Sequence, residues 1–324
     1  MDVMSGSRFE LTTFGETMLR LSVPVGERIC DARSLDVEAG GAESNVCVAL
    51  ARLGRRTAWA SRLPDNALGD AVLRVLRADG VNVSAVTRVR EGRLGTYFIE
   101  LATQPRASQV IYDRAGSAAA TMTPADLAWD QLLDTRILHL TGITAALGAG
   151  PYAAMVEAFR RARAAGVRLS FDVNYRAKLW DAATAGEQLR PLLAEADVLF
   201  CKGADAARLF GCEGEPRAQL EALGALTRAR TIYCTLGEQG AALLHEGRFQ
   251  RLPAFPVQIV DRIGSGDAFA AGALDGLLDG DPELGLQRGL ALAAIALSQH
   301  GDRVLSSRPE LEHVMARTAG DVAR

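Results

Sequence analysis

Several features that would announce a function by themselves are missing from this chain. The five cysteines, at 30, 47, 201, 212 and 234, form no CxxC pair and no disulfide-like spacing. That argues against a zinc ribbon or a stapled secreted scaffold, and buried thiols in a reducing cytoplasm are expected. The histidines at 139, 245, 300 and 313 show no ligand spacing, so a structural metal site built from them is not expected. The opening MDVMSGSRFE carries no apolar signal region. The apolar run LALAAIAL near the other end is far too short to cross a bilayer, so no membrane partner is expected. No basic block stands out among 36 Lys+Arg and 39 Asp+Glu, a formal charge of -3, which argues against a nucleic-acid partner. A weak net charge still allows a locally positive site for an anionic substrate. The absence of GxxxxGK[ST] disfavours a P-loop ATPase. The absence of GxGxxG after the first strand disfavours a dinucleotide-binding domain.

What is present is core material. Apolar residues make up 48% of 324, enough for a large α/β domain with an appended piece, or for two domains. Strand-like LTTFG at 11–15 leads to a helix over 42–53 closed by Gly54, then the short strand TAWAS, then a helix ended by Gly80. The alternation resumes from 124. RILHL precedes a helix over about 150–165, and VRLSFDV, ADVLFC and RTIYCTLG are buried strands. Helices are expected near them over about 187–195, 204–210 and 217–226, with 282–299 and 309–320 helical at the end. Such alternation predicts a mostly parallel sheet covered on both faces.

Two stretches break the rhythm. Residues 19–35 lack a clear helix, and 86–115 carry LGTYFIEL and SQVIYDR joined by the polar turn ATQPRA. With no helix between them, these runs predict an antiparallel hairpin. It reads as part of a β-sheet lid over the main body, or as an edge decoration. The division expected is a main α/β domain of 1–18, 36–85 and 116–324, with a lid of 19–35 and 86–115.

The chemistry concentrates in VDRIGSGDAFAAG, 260–272. Gly264 and Gly266 allow unusual backbone angles or close approach, so N–H groups can converge on an anion at a helix start. Asp267 beside them is either a helix cap or a base. As a base it would take the proton from a hydroxyl attacking a phosphoryl group whose oxygens the N–H cluster holds. TLGEQGA, 235–241, puts two glycines in a turn after a strand, as a passing nucleotide or an ordinary strand-to-strand turn would require. EAGGAESN, 38–45, sets Gly40 and Gly41 before a helix, with Asn45 offering an amide to hydroxyls, or it is a plain helix start. FDVNYRAKLW, 171–180, places Asp172 and Asn174 at the end of a buried strand, where ligands of open α/β sheets bind. Arg176 just behind can grip a carboxylate in two places or pair with a surface acid. In VIYDR, Tyr112 and Arg114 share a face, with Tyr97 on the partner strand. Together they suit a small polyhydroxy acid, or they are packing and solvated charge.

Taken together, these residues resemble the ribokinase-like (PfkB) family of carbohydrate kinases. GGAESNVCVALARLG, 40–54, is similar to the family's first signature, and DRIGSGDAFAAG, 261–272, to its second and more specific one. GETMLRLSVP, VIYDRAGSAA, DVNYRAKLW and the DRIG form of the last motif look most like the members acting on 2-keto-3-deoxygluconate. The resemblance implies a three-layer sandwich with a mostly parallel central sheet and a small β-sheet lid. It implies Asp267 as base, the N–H groups of Gly264, Ser265 and Gly266 as anion hole, and Gly41, Asn45, Tyr97, Tyr112, Arg114 and Arg176 around the sugar acid. Thr235, Gly237 and Gly240 match the nucleotide turn. ATP and Mg2+ are implied as cofactors. Many relatives also hold a monovalent cation such as K+, and Asp261 resembles a ligand of it. A homodimer or higher homo-oligomer is expected, because the lid's apolar face needs cover.

There are departures. Where relatives often have Asn-x-x-Glu for Mg2+ and phosphates, this chain has KGAD, with Lys202 and Asp205, and Arg262 stands where Thr is common. The implied reaction is transfer of the γ-phosphoryl of ATP to the 6-hydroxyl of 2-keto-3-deoxy-D-gluconate. Fructokinase or 5-dehydro-2-deoxygluconokinase chemistry, and a non-catalytic sugar sensor on the same fold, are the alternatives.

Overall fold

A computed structural model of the chain describes residues 6–102 and 105–316. The first five residues, Thr103 and Gln104 of the expected ATQPRA turn, and 317–320 of the helix expected over 309–320 lie outside the described residues. The strands are β1 (Phe9–Phe14), β2 (Met18–Val23), β3 (Asp36–Gly40), β4 (Thr57–Ala60), β5 (Arg62–Pro64), β6 (Thr87–Val89), β7 (Thr96–Glu100), β8 (Gln109–Asp113), β9 (Thr135–Thr141), β10 (Arg168–Asp172), β11 (Val198–Lys202), β12 (Thr231–Thr235), β13 (Ala241–His245) and β14 (Arg248–Leu252). The helices are α1 (Ala42–Arg52), α2 (Ala67–Ala78), α3 (Trp129–Leu133), α4 (Gly142–Ala145), α5 (Ala149–Ala165), α6 (Ala182–Glu195), α7 (Gly203–Phe210), α8 (Pro216–Gly224), α9 (Ser265–Leu278), α10 (Pro282–Leu297) and α11 (Arg308–Ala316).

Eight strands form the central sheet in the order β14-β13-β12-β11-β10-β9-β1-β4. From β4 to β12 every pairing is parallel; β12, β13 and β14 pair antiparallel. The apolar runs of β9 to β12 follow from burial on both faces, as parallel sheets with helices on each side require. One core lies between the sheet and α1, α2, α9, α10 and α11, and includes Leu50, Trp59, Leu76, Phe269 and Leu274. The other lies between the sheet and α3, α5, α6, α7 and α8, and includes Phe159, Phe171, Leu189, Leu209 and Leu223. This is a ribokinase-like three-layer α/β/α sandwich. The β13–β14 hairpin at its edge was not foreseen; its two short strands carry no motif beyond the glycine turns that flank them.

Side-chain caps set several helix starts. Asn66 accepts from the N–H groups of Leu68 and Gly69 before α2. Asp181 and Asp281 do the same for the N–H groups of Thr184 and Leu284 before α6 and α10. α9 has no polar face: every residue from Asp267 to Leu278 is buried. Its Gly272 lets the α10 backbone come close, since a Cβ there would collide with the Arg288 carbonyl.

A second sheet of four strands, β3-β2-β7-β8, covers one end of the body. The expected hairpin is β7–β8, antiparallel, with Tyr97 opposite Tyr112. The expected division placed 36–40 with the main body, whereas β3 pairs antiparallel with β2, Leu21 opposite Val37. The alternation of Asp36, Val37 and Glu38 gave little apolar signal, and the strand is recruited by β2's free edge. Period two splits the sheet into unlike faces. Arg20, Tyr97 and Tyr112 share the face turned to the body, whereas Leu21, Val37, Phe98 and Ile111 form a row on the other. A third, two-stranded sheet joins β5 to β6.

Four cysteines are buried free thiols as expected; Cys30 is exposed instead, because it lies in a surface 3-10 turn. Among the described residues no helix is long and apolar enough to cross a membrane.

One buried carboxylate holds several of these elements together. Asp275 on α9 is fully buried and accepts from Arg55 at 2.8 Å, Arg288 of α10 at 2.7 Å and Arg308 of α11 at 2.5 and 2.7 Å. Removing one partner of a buried ion cluster strands the rest in low dielectric. Asp275→Ala is therefore expected to cost about 3–5 kcal/mol in urea unfolding. A loss below about 1 kcal/mol would mean that the arginines find water instead.

Candidate active site

The loops beyond the C-terminal ends of β10, β11 and β12, the starts of α1 and α9, and the inner face of the small sheet enclose a cavity of about 1350 Å³. Its floor is the GSGD turn. Gly264 is the N-cap of α9 at φ +81, a left-handed conformation, and a Cβ there would collide with the Asp302 carbonyl oxygen, so no other residue fits. The helical ladder begins with Ala268 N–H donating to the Gly264 carbonyl at 2.9 Å. The N–H groups of Ser265, Gly266 and Asp267 precede that ladder and have no helical acceptor. Ser265 and Gly266 line the cavity, and added atoms on Gly266 would meet open space. This end of α9 is an anion cradle with the helix's positive pole behind it.

Asp267 stands one step further in, 8% exposed. Its Oδ2 accepts from Asn45 Nδ2 at 2.8 Å. Burial pushes its carboxyl up to about 6; the Asn45 hydrogen bond and the Arg176 charge pull it back, Asp302 pushes it up, and Lys202 pulls it down. The result is a carboxylate ionised at neutral pH yet basic enough to accept a proton. Asn45, expected to meet hydroxyls, therefore spends its amide N–H on the acid, while its Oδ1 faces Gly41 N–H at 3.4 Å. Gly41 lines the cavity where a side chain would strike the Glu16 carbonyl.

Asp172 and Asn174 also line the cavity at the end of β10. Burial, then the charge of Asp267, raises the Asp172 carboxyl to about 7. Arg176 points into the same space; its one protein hydrogen bond among the described residues is to the Tyr175 carbonyl at 3.4 Å. Arg114 differs. Its Nε donates to Glu16 Oε2 at 2.7 Å, its Nη2 pairs with the same oxygen, and the Ser117 hydroxyl holds Glu16 Oε1. The two arginines expected at a carboxylate are thus unequal: one cation is already neutralised, and the other is not.

Tyr97 and Tyr112 stack with ring centroids 5.8 Å apart. The Tyr97 hydroxyl donates to Asp302 Oδ2 at 2.5 Å, while Tyr112 sits at the rim beneath Arg114 and Lys178, each 5.7 Å from its ring. On the far side, Thr235, Gly237 and Gly240 line the wall in the turn between β12 and β13, with φ of +62 and +92 at the two glycines. This is a strand-to-strand turn, and it also faces the cavity. Lys202 caps α7 in extended conformation and lines the cavity. Asp205, inside the first turn of α7, is buried and is not among the lining residues.

Asp261 is enclosed by donors. Its Oδ1 accepts from Ile263 N–H at 3.0 Å, and its Oδ2 accepts from Arg20 Nη2 at 2.5 Å with Gly301 N–H at 3.4 Å. The Arg20 guanidinium already supplies the positive charge at this carboxylate and would repel a second cation, so the surroundings of Asp261 do not fit a bound monovalent cation.

Comparison with known proteins decides the family: the profile described as pfkB family carbohydrate kinase matches residues 8–309. The chain belongs to the PfkB family of carbohydrate kinases. A 2-dehydro-3-deoxygalactonokinase of Haloferax volcanii is 40% identical over 307 residues, 94% of this chain and 96% of that one. A 2-dehydro-3-deoxygluconokinase of Bacillus subtilis is 32% identical, covering 91% of each chain. The crystal structure of a 2-dehydro-3-deoxygluconokinase from Thermotoga maritima superposes with a TM-score of 0.91 at 33% identity, covering 95% of this chain and 98% of that one.

For a PfkB kinase the donor set suits Mg2+ carried on a triphosphate. No group of three His, Cys, Asp or Glu side chains among the described residues is placed to hold a metal by itself. Mg2+ keeps waters and phosphate oxygens and needs few protein carboxylates. Asp172 and Lys202 are among the polar groups that line the cavity.

Sequence reasoning missed four buried groups here: Glu16, Arg20, Glu43 and Asp302. Glu43 accepts from the hydroxyls of Thr141 at 2.7 Å and Thr144 at 2.6 Å, and burial raises it to about 7. One signal was available: an arginine alternating with apolar residues in MLRLSV must either face water or find buried acids.

The Asp267 carboxyl lies above its ordinary 3.8 in the fold, so folding favours its protonated form. That stability is present below 3.8 and is lost as pH rises through about 6. Asp267→Asn escapes the loss. Its unfolding free energy is expected to exceed that of the parent by about 2–3 kcal/mol near pH 8, with the gap closing near pH 4, in denaturant titrations. An equal gap at both pH values would show that Asp267 is not the titrating group.

Proposed function

We propose that this kinase transfers the γ-phosphoryl group of ATP to the 6-hydroxyl of a 2-keto-3-deoxy sugar acid, 2-keto-3-deoxy-D-gluconate in the first place. The observation that carries this reading is the pairing of Asp267 with the unpartnered N–H groups of α9, in one cavity with an arginine that lacks an acid. Asp267 takes the proton of the attacking hydroxyl, and Asn45 orients it. The N–H groups at Gly264, Ser265 and Gly266 hold the equatorial oxygens of the phosphoryl group in flight. Arg176 grips the sugar's carboxylate, with Arg114, Tyr112 and Tyr97 along the wall beside it and Gly41 beneath the chain of carbons. Thr235, Gly237 and Gly240 lie along the nucleotide. Lys202 neutralises its phosphates, with Asp205 behind. Kinases of this family use ATP with Mg2+, which when bound shields the charge of the phosphates.

The small sheet serves as lid: 19–35 and 86–115 together with β3 close over the sugar and exclude water from the transfer. A neutral sugar, as in the fructokinase reading, would leave Arg176 without a partner, whereas 5-dehydro-2-deoxygluconate also carries a carboxylate and is separated by the substrate panel alone. A pure sensor has no use for a positioned base. The 40% identity to a galactonate-series kinase favours the C4 epimer as a second substrate. The buried free thiols Cys47, Cys201, Cys212 and Cys234 support a reducing cytoplasm.

Steady-state assays with ATP and a panel of both 2-keto-3-deoxy acids, fructose and 5-dehydro-2-deoxygluconate test the reading. Both 2-keto-3-deoxy acids are expected to lead fructose in kcat/KM by about 100-fold or more, with Arg176→Met removing most of that lead, and to lead 5-dehydro-2-deoxygluconate as well. Asp267→Asn is expected to lower kcat about 1000-fold with little change in sugar KM. Near-normal turnover of Asp267→Asn, or a preference for fructose, would overturn it.

The same reading includes a homo-oligomer. On the outer face of the small sheet Val37 is 60% and Ile111 50% exposed, in a row with Leu21 and Phe98. A second copy covering this row would remove an exposed apolar sheet face from water. Light scattering on a sizing column is expected to give a dimer or larger, and Val37→Asp with Ile111→Asp to give a monomer that still turns over.

A further inference from the structure

The cavity accounts for most of its polar groups, but one charged cluster runs back from its wall, with Tyr97 and Asp302 lining the cavity and Arg20 and Asp261 behind them. Arg20, on the inner face of β2, is 1% exposed. Its Nη2 donates to Asp261 Oδ2 at 2.5 Å and its Nη1 to Asp302 Oδ1 at 2.6 Å, with Glu38 Oε2 3.9 Å from its Nε. The remaining oxygen of Asp302 accepts from the Tyr97 hydroxyl. The remaining oxygen of Asp261 accepts from Ile263 N–H. The guanidinium is therefore the cation of a buried acid pair, and each oxygen of Asp261 and Asp302 already accepts from a donor.

Position gives this cluster its meaning. Asp261 lies three residues before Gly264, and Asp302 supplies the carbonyl oxygen against which Gly264 is packed. The two loops that shape the anion cradle are thus fastened to each other through one side chain of the small sheet. Burial alone would pull the Arg20 charge down, but the two carboxylates more than offset it and hold the group above its ordinary value. Two acids this close would repel each other and splay the loops if no cation lay between them.

We infer that Arg20 is the built-in cation of the phosphoryl-holding turn, standing through Asp261 and Asp302 where the family resemblance implied a bound monovalent ion, so that turnover does not require K+. Arg20 is a positioning residue: it touches no substrate and acts on the N–H groups of Gly264 to Gly266 by fixing the loops on either side. The inference rests on the reading of that turn as the anion hole, but not on which sugar is used.

The experiment uses the full-length protein in two salts of equal ionic strength, KCl and tetramethylammonium chloride. Melting temperature is followed without substrates, and kcat with ATP and the best sugar. The wild type is expected to melt at the same temperature in both salts and to differ less than about twofold in kcat. A rise in melting temperature specific to K+, or a K+-dependent kcat, would overturn the inference. If no sugar supports turnover, the substrate reading fails separately and the melting arm still decides. Arg20→Lys keeps a cation and is expected to retain kcat within about tenfold. Arg20→Met is expected to lose about 100-fold or more in kcat, with sugar KM changed less than about threefold. Added guanidinium or K+ is expected to restore part of the loss in Arg20→Met. A loss seen mainly in KM, with no rescue by either ion, would mark Arg20 as merely structural. Should Arg20→Met not accumulate as folded protein, the two wild-type arms and Arg20→Lys carry the decision.

Discussion

A carboxylate and an anion-binding cradle must share one turn of helix here, and that electrostatic conflict organises the surrounding residues. The N–H groups at the start of α9 attract negative charge, and Asp267 brings its own. The arrangement is tolerable because Asp267 is drawn aside by Asn45 of α1 and lies within the fields of Arg176 and Lys202. Its carboxyl ends near 6, low enough to be ionised in neutral solution and high enough to take a proton. Asp172 and Glu43, each raised to about 7 by burial, crowd the same floor. A site with this many carboxylates is stable only because hydroxyls, amides and a few arginines are spaced among them. Lysine, by contrast, contributes Lys202 and Lys178 and nothing else in the whole chain.

The arginines around the cavity divide the labour by whether they already have an acid. Arg114 is bound to Glu16, and Arg20 to Asp261 and Asp302, so both act as scaffolding. Arg176 lines the cavity with no carboxylate at ion-pair distance among the described residues. Sequence cannot make this distinction. All three are single arginines in short motifs, and what separates them is whether a carboxylate from a distant segment arrives in three dimensions. Glu16 meets Arg114 across 98 residues, and Asp302 meets Arg20 across 282.

Much of the rest was legible, for physical reasons. The central strands announced themselves because burial on two faces leaves only apolar runs, and the helices because caps such as Asn66 punctuate them. The GSGD turn was legible because Gly264 has a backbone angle and a contact that admit no side chain. β3 was not, since the short alternation in DVEAG carries one large apolar residue, Val37, and gives little signal. Asn45 was found, but not its bond to Asp267: an amide near a ligand site looks the same in sequence whether or not it also meets the carboxylate beside it. Asp205 was legible as a charge near Lys202, but the turn of α7 carries it inward, which spacing along the chain did not reveal.

The unlike faces of the small sheet bear on how the chain finds its register while folding. Strands β2, β7 and β8 are apolar enough on one side and aromatic enough on the other that sliding by one residue would still bury plausible surface. Such a slip would turn Phe98 and Ile111 toward the body and send Tyr97 and Tyr112 outward. It would also carry Arg20 to the wrong side, leaving Asp261 and Asp302 as two dehydrated anions with no counterion. The penalty for that misalignment far exceeds any difference in hydrophobic fit. The guanidinium thus selects one strand alignment among near-equals, and the sheet can hold an outward apolar row without losing track of which side is which.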